Sequence, residues 1–275
     1  MNIITNKIKL GASAPFKLIH ASDTHLTEAD SRDTQRKIEL ARNRSKIFPN
    51  ALDNLEKLSE LSKKYSAPIA YTGDMTDFVS YKNLDIAKKF TDENDCFICA
   101  GNHEFSLYVG EAKEDAAYRN QSLALVQSAF KNDIRFSSRV INGINLVAID
   151  NSYYRIEPEQ LSALKKEVAK EMPVILLMHV PLYNNETYDF IRNTLGHGTG
   201  DIMSVPEDKM KDYNAHRYEQ QKEDEATREA YEYILNEPMI KLLLTGHIHE
   251  DFETAFDDKI QLLTGTDTAR IIEIN

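Results

Sequence analysis

The chain has 275 residues, 41% of them hydrophobic and 28% charged, which is enough for one large α/β domain with a substantial core. Its net charge of -11 repels a phosphate backbone and argues against broad nucleic-acid binding. The same charge leaves room for a small phosphorylated substrate held by metal ions. The start, Met1 to Leu10, has no long apolar segment and no cleavage pattern. No apolar run approaches the roughly 20 residues of a membrane helix. The expectation is a soluble, cytoplasmic protein with no membrane partner. The two cysteines, Cys96 and Cys99, cannot form a disulfide framework. They sit in a strand-type run, where residues three apart face opposite ways, and are read as buried strand cysteines.

Residues 1–15 read as a leading strand or arm. Phe16–Ala21 is the first clear strand, and it runs into Ser22-Asp23-Thr24-His25. Asp23 and His25, two apart at a strand end, face the same way. The plainer reading of Asp23 is a turn residue capping the next segment. A loop and a helix (Arg36–Ile47) follow, then a second helix from Pro49 to Tyr65 with Phe48, Leu52, Leu55, Leu58 and Leu61 on one apolar face. Pro68–Thr72 is a strand ending in Gly73-Asp74-Met75-Thr76-Asp77. Leu84–Phe90 is a helix. Cys96–Ala100 is a strand ending in Gly101-Asn102-His103-Glu104.

The spacing next predicts a helix over Ala116–Phe130. Two sheet segments follow, Ile134–Ser138 and Val140–Ile149, with Asn142-Gly143 as a hairpin turn. Asp150-Asn151 ends the second segment and reads as a structural turn or a group near a site. Pro158–Lys170 is a helix with proline in its first turn. Val174–Met178 is an apolar strand delivering His179. Residues 182–232 break the rhythm: they are polar and carry the glycine-spaced run Gly196-His197-Gly198-Thr199-Gly200-Asp201. Long excursions of this kind are binding loops, lids or disordered segments. They are read as a cap embedded in a single domain of residues 1–275, with a helix near Asp224–Leu235 and with His197 as a candidate substrate contact. Met239–Thr245 then leads into Gly246-His247-Ile248-His249. Strands at Asp251–Phe256, Ile260–Thr264 and Arg270–Ile274, with a turn at Asp257-Asp258, close the chain. Strand–helix alternation of this kind predicts an α/β fold, with the strand tips converging on one site.

Collected in order, the tips give Asp23-x-His25, Gly73-Asp74-x-x-Asp77, Gly101-Asn102-His103-Glu104, His179 and Gly246-His247-x-His249. Five of the eight histidines lie in these segments. A strand that ends in two imidazoles builds a poor core and a good metal site, because neutral imidazole is the commonest nitrogen ligand. An oxygen and nitrogen set without thiolate suits Mn, Fe, Zn or Co.

These five blocks resemble the signature of the calcineurin-like metallophosphoesterase superfamily, and the resemblance covers residues 16–266. It implies a four-layer α/β/β/α sandwich of two mixed sheets. It implies two divalent or trivalent metal ions (Mn, Fe or Zn), bridged by Asp74. Asp23, His25 and His249 would complete one ion's ligands, and Asn102, His179 and His247 the other's. It implies hydrolysis of a small phosphate ester by attack of a metal-bridging hydroxide. His103 would assist the leaving group, and Asp77 would orient a histidine. The layout most resembles the bacterial branch with cyclic-nucleotide and glycerophosphodiester phosphodiesterases. Purple acid phosphatases place a tyrosine ligand where this chain has Met75, Thr76 and Asp77. The alternatives are a nuclease of the same superfamily and a metal-binding, non-catalytic scaffold.

Overall fold

The computed structural model describes residues 1–105, 116–256 and 258–275. The chain opens with β1 (Asn2–Ile8) and β2 (Phe16–Ala21). Helices α1 (Gln35–Arg44) and α2 (Ala51–Tyr65) lead to β3 (Ile69–Tyr71), and α3 (Tyr81–Glu93) leads to β4 (Cys96–Ile98). Next come α4 (Ala116–Gln127), the hairpin of β5 (Phe136–Ile141) and β6 (Ile144–Ile149), α5 (Pro158–Val168) and β7 (Val174–Leu177). The polar stretch holds α6 (Asn185–Asp189), α7 (Ala215–Gln221) and α8 (Glu225–Asn236). Strands β8 (Ile240–Thr245), β9 (Phe252–Phe256), β10 (Lys259–Leu263) and β11 (Thr268–Ile274) finish the chain. Of the expected Asp257-Asp258 turn, Asp257 lies outside the described residues.

Local chemistry sets many of these boundaries. Thr34, Ser80 and Asp224 each cap a helix by accepting a backbone N–H through the side chain. Glu157 and Gln160 form a reciprocal cap around Pro158 at the start of α5. Asn142 and Gly143 both take positive φ, 48° and 80°, as a tight hairpin requires. The turn falls between β5 and β6 as expected, while the segments expected at 134–138 and 140–149 run over 136–141 and 144–149.

The strands form two mixed sheets, ordered β1-β11-β2-β3-β4 and β5-β6-β7-β8-β10-β9. Parallel pairs run through the middle of both: β2 with β3, β3 with β4, β6 with β7, and β7 with β8. Leu18, Ala70, Phe97 and Cys99 of the first sheet pack against Leu146, Ile175, Leu177, Leu242 and Leu244 of the second. Outside the first sheet, Ile19, Ile69 and Ile98 meet Leu55 and Leu58 of α2 and Phe90 of α3. Outside the second, Val147, Leu176 and Leu243 meet Leu161 and Leu164 of α5 and Ile234 of α8. The result is the expected α/β/β/α sandwich. Central strands covered on both faces read as unbroken apolar runs, as Val174-Ile-Leu-Leu does. Cys96 and Cys99 are buried on opposite faces of the first sheet. No helix among the described residues is long and apolar enough to cross a membrane.

Two expectations change. The buried stripe of α2 is Ala51, Leu55, Leu58 and Ser62, and Leu52 is 48% exposed. Leu52 stands one residue, about 100°, round the helix from Ala51. The polar stretch also divides. Helix α8 belongs to the outer layer through Ala230 and Ile234. The segment before it builds a small cluster of its own, with Tyr188, Ile191, Ile202, Met210 and Tyr213 seated on Ile248 and Leu263. Ile248 is the residue between His247 and His249, so this insert rests on the β8 tip.

Leu177→Ala should cost about 2–5 kcal/mol, because it empties the fully buried layer between the sheets. Leu52→Ala should stay within about 0.5 kcal/mol of the parent. Urea unfolding of the two variants measures both values, and equal losses would contradict this packing.

Candidate metal centre

The tips of β2, β3, β4, β7 and β8 meet at one end of the sandwich. Asp23, His25, Asp74, His247 and His249 all lie in left-handed backbone, with φ from 50° at His25 to 70° at His247. Aspartate and histidine visit this region more readily than most side chains, and clusters of such residues mark functional sites. The β2 and β3 tips are zipped together by Asp23 N–H to Gly73 O (3.0 Å), His25 N–H to Asp74 O (3.0 Å) and Leu26 N–H to Met75 O (2.8 Å). The buried Glu104 carboxylate ties in the β4 tip, accepting from the backbone N–H groups of Asp74 (2.7 Å), Thr76 (3.0 Å) and Gly101 (2.8 Å). Two glycines allow the close approach. A Cβ on Gly101 would lie 2.2 Å from Asp74 Oδ1, and one on Gly246 would lie 1.8 Å from Ser22 Oγ.

Three groups of potential ligand atoms result, one of them His25, Asp77 and His103. Of the two that share a carboxylate, Asp23, His25, Asp74 and His249 form one, and Asp74, His179 and His247 form the other. Asp74 belongs to both: its Oδ2 lies 3.7 Å from His25 Nε2 and 3.2 Å from His179 Nε2. Asn102 joins the second group, with Oδ1 3.1 Å from His179 Nε2. Ring nitrogens face each other within each group, His25 Nε2 and His249 Nε2 at 3.0 Å, His179 Nε2 and His247 Nδ1 at 3.1 Å. Asp23 Oδ1 is buried and accepts no hydrogen bond, yet points at His249 Nε2 (3.4 Å) and His25 Nε2 (3.7 Å). Converging lone pairs with an unsatisfied buried carboxylate oxygen fit cations and fit little else.

The outward nitrogens set the tautomers. His179 Nδ1 lies 2.7 Å from the carbonyl oxygen of Thr72, which can only accept, so Nδ1 carries the proton and Nε2 is left for a ligand role. His25 Nδ1 faces Asp77 Oδ1 at 3.0 Å to the same effect. His247 reverses the pattern, with Nε2 2.8 Å from the Tyr154 hydroxyl and Nδ1 turned inward. Asn151 Oδ1 accepts the backbone N–H of His179 and of Val180 (both 3.0 Å), which assigns Asn151 a part in fixing the β7 tip.

Sequence reasoning missed three further neighbours. Arg44 makes a two-pronged contact with Asp77, Nε to Oδ2 at 2.6 Å and Nη2 to Oδ1 at 2.7 Å. Phe48 stacks on the His25 ring at 4.1 Å. Tyr154 holds His247. None has a local signature, because each arrives from an element remote in sequence. His103 falls in the third group, with His25 and Asp77; its Nδ1 lies 2.7 Å from the Asp77 carbonyl oxygen and 3.4 Å from Asp77 Oδ1. His197 is outside all three ligand groups and pairs with Asp201 at 3.3 Å.

Electrostatics follow the crowding of buried carboxylates. Burial opposes charging of His25, but Asp23, Asp77 and Asp74 outweigh it and hold its pKa at about 10. Burial likewise opposes charging of His179, and Asp74 lifts it to about 9. Burial favours the neutral acid at Asp77, yet Arg44 and His25 bring it down to about 2. Burial and the charge of Asp74 push Glu104 up to about 7, against three backbone N–H donors.

The family model of calcineurin-like phosphoesterases matches residues 16–251. The chain belongs to that family. It is a metal-dependent phosphoric ester hydrolase of a dinuclear family, and its His/Asp cluster is able to hold metal. No curated protein matches this phosphoesterase. Similar solved structures include a dimetal phosphatase from Danio rerio, at 11% identity and TM-score 0.49, covering 91% of this chain and 88% of the other. The phosphopantetheinyl hydrolase of Mycobacterium tuberculosis aligns at 12% identity and TM-score 0.47, over 93% and 92% of the two chains. A 5′-nucleotidase precursor from Thermus thermophilus aligns at 12% identity and TM-score 0.44, over 92% and 48%. The phosphoesterase spans about half the length of the 5′-nucleotidases it matches.

Metal loading should therefore release protons. His25 and His179, with pKa values of about 10 and about 9, are protonated at pH 7 in metal-stripped protein and must be neutral to bind. Both values are raised, so the stability they give the stripped protein is complete below about pH 6.5 and is lost as pH climbs through 9 and 10. Apparent metal affinity should rise over the same interval. Calorimetry in buffers of different ionisation heat reads the proton count at pH 7, and loading without proton release would contradict the charged state of His25 and His179 in the stripped protein.

Proposed function

We propose that this phosphoesterase hydrolyses phosphodiester or phosphomonoester bonds of small molecules at a two-cation centre bridged by Asp74. Asp23, His25 and His249 hold one cation, and Asn102, His179 and His247 hold the other. The observation that carries this reading is the double membership of Asp74, whose single carboxylate lies between the two ligand groups. Two cations of Mn, Fe or Zn, when bound, supply a water acidic enough to ionise near neutral pH and positive charge for the phosphoryl oxygens.

The chain's own residues do the rest. His25 and His179 are locked by Asp77 and by the Thr72 carbonyl, so they meet the cations without reorganising. His103 anchors Nδ1 on the Asp77 carbonyl oxygen, which leaves Nε2 to deliver a proton to the leaving oxygen. The Asp77 carboxylate, 3.4 Å from Nδ1, offers a counter-charge to that imidazolium. Arg44 keeps Asp77 in place for both histidines.

His103→Ala should keep two metals and lose about 10²–10⁴-fold in rate, chiefly on poor leaving groups. Asp74→Ala should lose most of its metal. Elemental analysis beside turnover separates the two, and a His103→Ala protein stripped of metal would overturn the role given to His103.

The direct test is hydrolysis of bis(nitrophenyl) phosphate and nitrophenyl phosphate by metal-stripped protein resupplied with Mn²⁺. Turnover of the diester supports a phosphodiesterase. Turnover of the monoester alone assigns a phosphatase. No turnover of either by protein holding two metals would overturn the reading in favour of a binding scaffold.

A further inference from the structure

Three inward-facing histidines are fixed through their outer nitrogen, and one differs in kind. His25 leans on a carboxylate and His179 on a backbone carbonyl, both within the sandwich. His247 leans on the Tyr154 hydroxyl, 2.8 Å from its Nε2. Tyr154 is 1% exposed, and its ring meets the His247 imidazole edge-on at 5.5 Å. Its backbone is left-handed, φ 61°, an uncommon state for a bulky aromatic residue. The Tyr154 hydroxyl also faces Arg217 of α7, with Nη2 at 3.4 Å and the guanidinium 5.9 Å above the ring. Arg217 is in turn ion-paired with Asp201, and Asp201 accepts from Thr199 (2.7 Å) and Gln221 (3.0 Å). A continuous chain of contacts thus runs from the insert to a candidate metal ligand.

The proton arithmetic gives that chain a purpose. A neutral imidazole has one N–H. For Nδ1 of His247 to present a lone pair inward, its proton must sit on Nε2, where it needs an acceptor. A guanidinium can only donate, so the Tyr154 oxygen is the acceptor toward Arg217, and an inward Nδ1 lone pair on His247 requires that the same oxygen accept from His247 Nε2. The competing tautomer would aim its proton at His179 Nε2, 3.1 Å away, where a cation belongs.

Building on the two-cation reading, we propose that Tyr154 is the positioning residue that fixes His247 with Nδ1 inward. Arg217 holds Tyr154 in that role, so the insert governs how firmly the second cation is kept. Partners of this kind typically alter metal affinity about 10–100-fold.

The test titrates the metal-stripped full chain with Mn²⁺, comparing the parent with Tyr154→Phe and Arg217→Met. Two parent binding events are the precondition, and fewer would sink the two-cation reading itself. Tyr154→Phe should weaken one event about 10–100-fold and leave the other within about twofold. Arg217→Met, at a partly exposed position, should weaken the same event by a smaller factor. Thermal melting of the stripped proteins should be unchanged, which separates positioning from loss of fold. In Zn²⁺-loaded protein, nitrogen NMR should place the His247 proton on Nε2 in the parent. Two unchanged events in folded Tyr154→Phe would overturn the proposal. An effect of Tyr154→Phe with none from Arg217→Met would overturn the insert's part in it.

Discussion

Negative charge packed out of reach of water dominates this molecule. Asp23, Asp74, Asp77 and Glu104 are all buried within the reach of one another's partners at one end of the sandwich. An uncompensated buried carboxylate is costly, and several together are more so. In the protein alone, protons on His25 and His179 and the guanidinium of Arg44 offset that charge. Two metal ions would offset it better, since each replaces a proton with a larger charge and satisfies the lone pair on Asp23 Oδ1. Metal affinity, histidine tautomers and the left-handed tips all answer to this one requirement.

The fold meets the requirement through topology. The parallel pairs β2-β3-β4 and β6-β7-β8 send their carboxyl ends the same way, and the two sheets face each other across an apolar layer. Residues from positions as distant as Asp23 and His249 therefore meet without a long loop. The rigid layer between the sheets sets the distance between tips. The left-handed residues and the glycines at 101 and 246 then turn the chain inward over the last few ångströms.

Much of this was legible in the sequence, and the reason is that ligands at strand tips are local signals. A strand, a glycine and an Asp or His within a few residues can be read from one window, and Asp23, His25, Asp74, His179, His247 and His249 from those windows lie close together in the fold. The four layers followed from the family resemblance, and the apolar runs of β7 and β8 agree with it. What stayed hidden was remote. Arg44 reaches Asp77 from the end of α1, and Tyr154 and Arg217 reach His247 from two separate segments. Nothing in their own neighbourhoods marks them. Leu52 was misplaced because Ala51, its neighbour about 100° round the helix, takes the place on the buried stripe with Leu55 and Leu58. The excursion at 182–232 was read as one unit, although α8 carries an apolar stripe that belongs to the outer helical layer.

The most direct measurement is anomalous X-ray diffraction from crystals of the Mn²⁺-loaded protein. Two peaks about 3.5–4 Å apart are expected, with the Asp74 carboxylate between them, His25 and His249 on one peak and His179 and His247 on the other. A single peak, or two peaks with Asp74 bound to only one, would contradict the bridged centre.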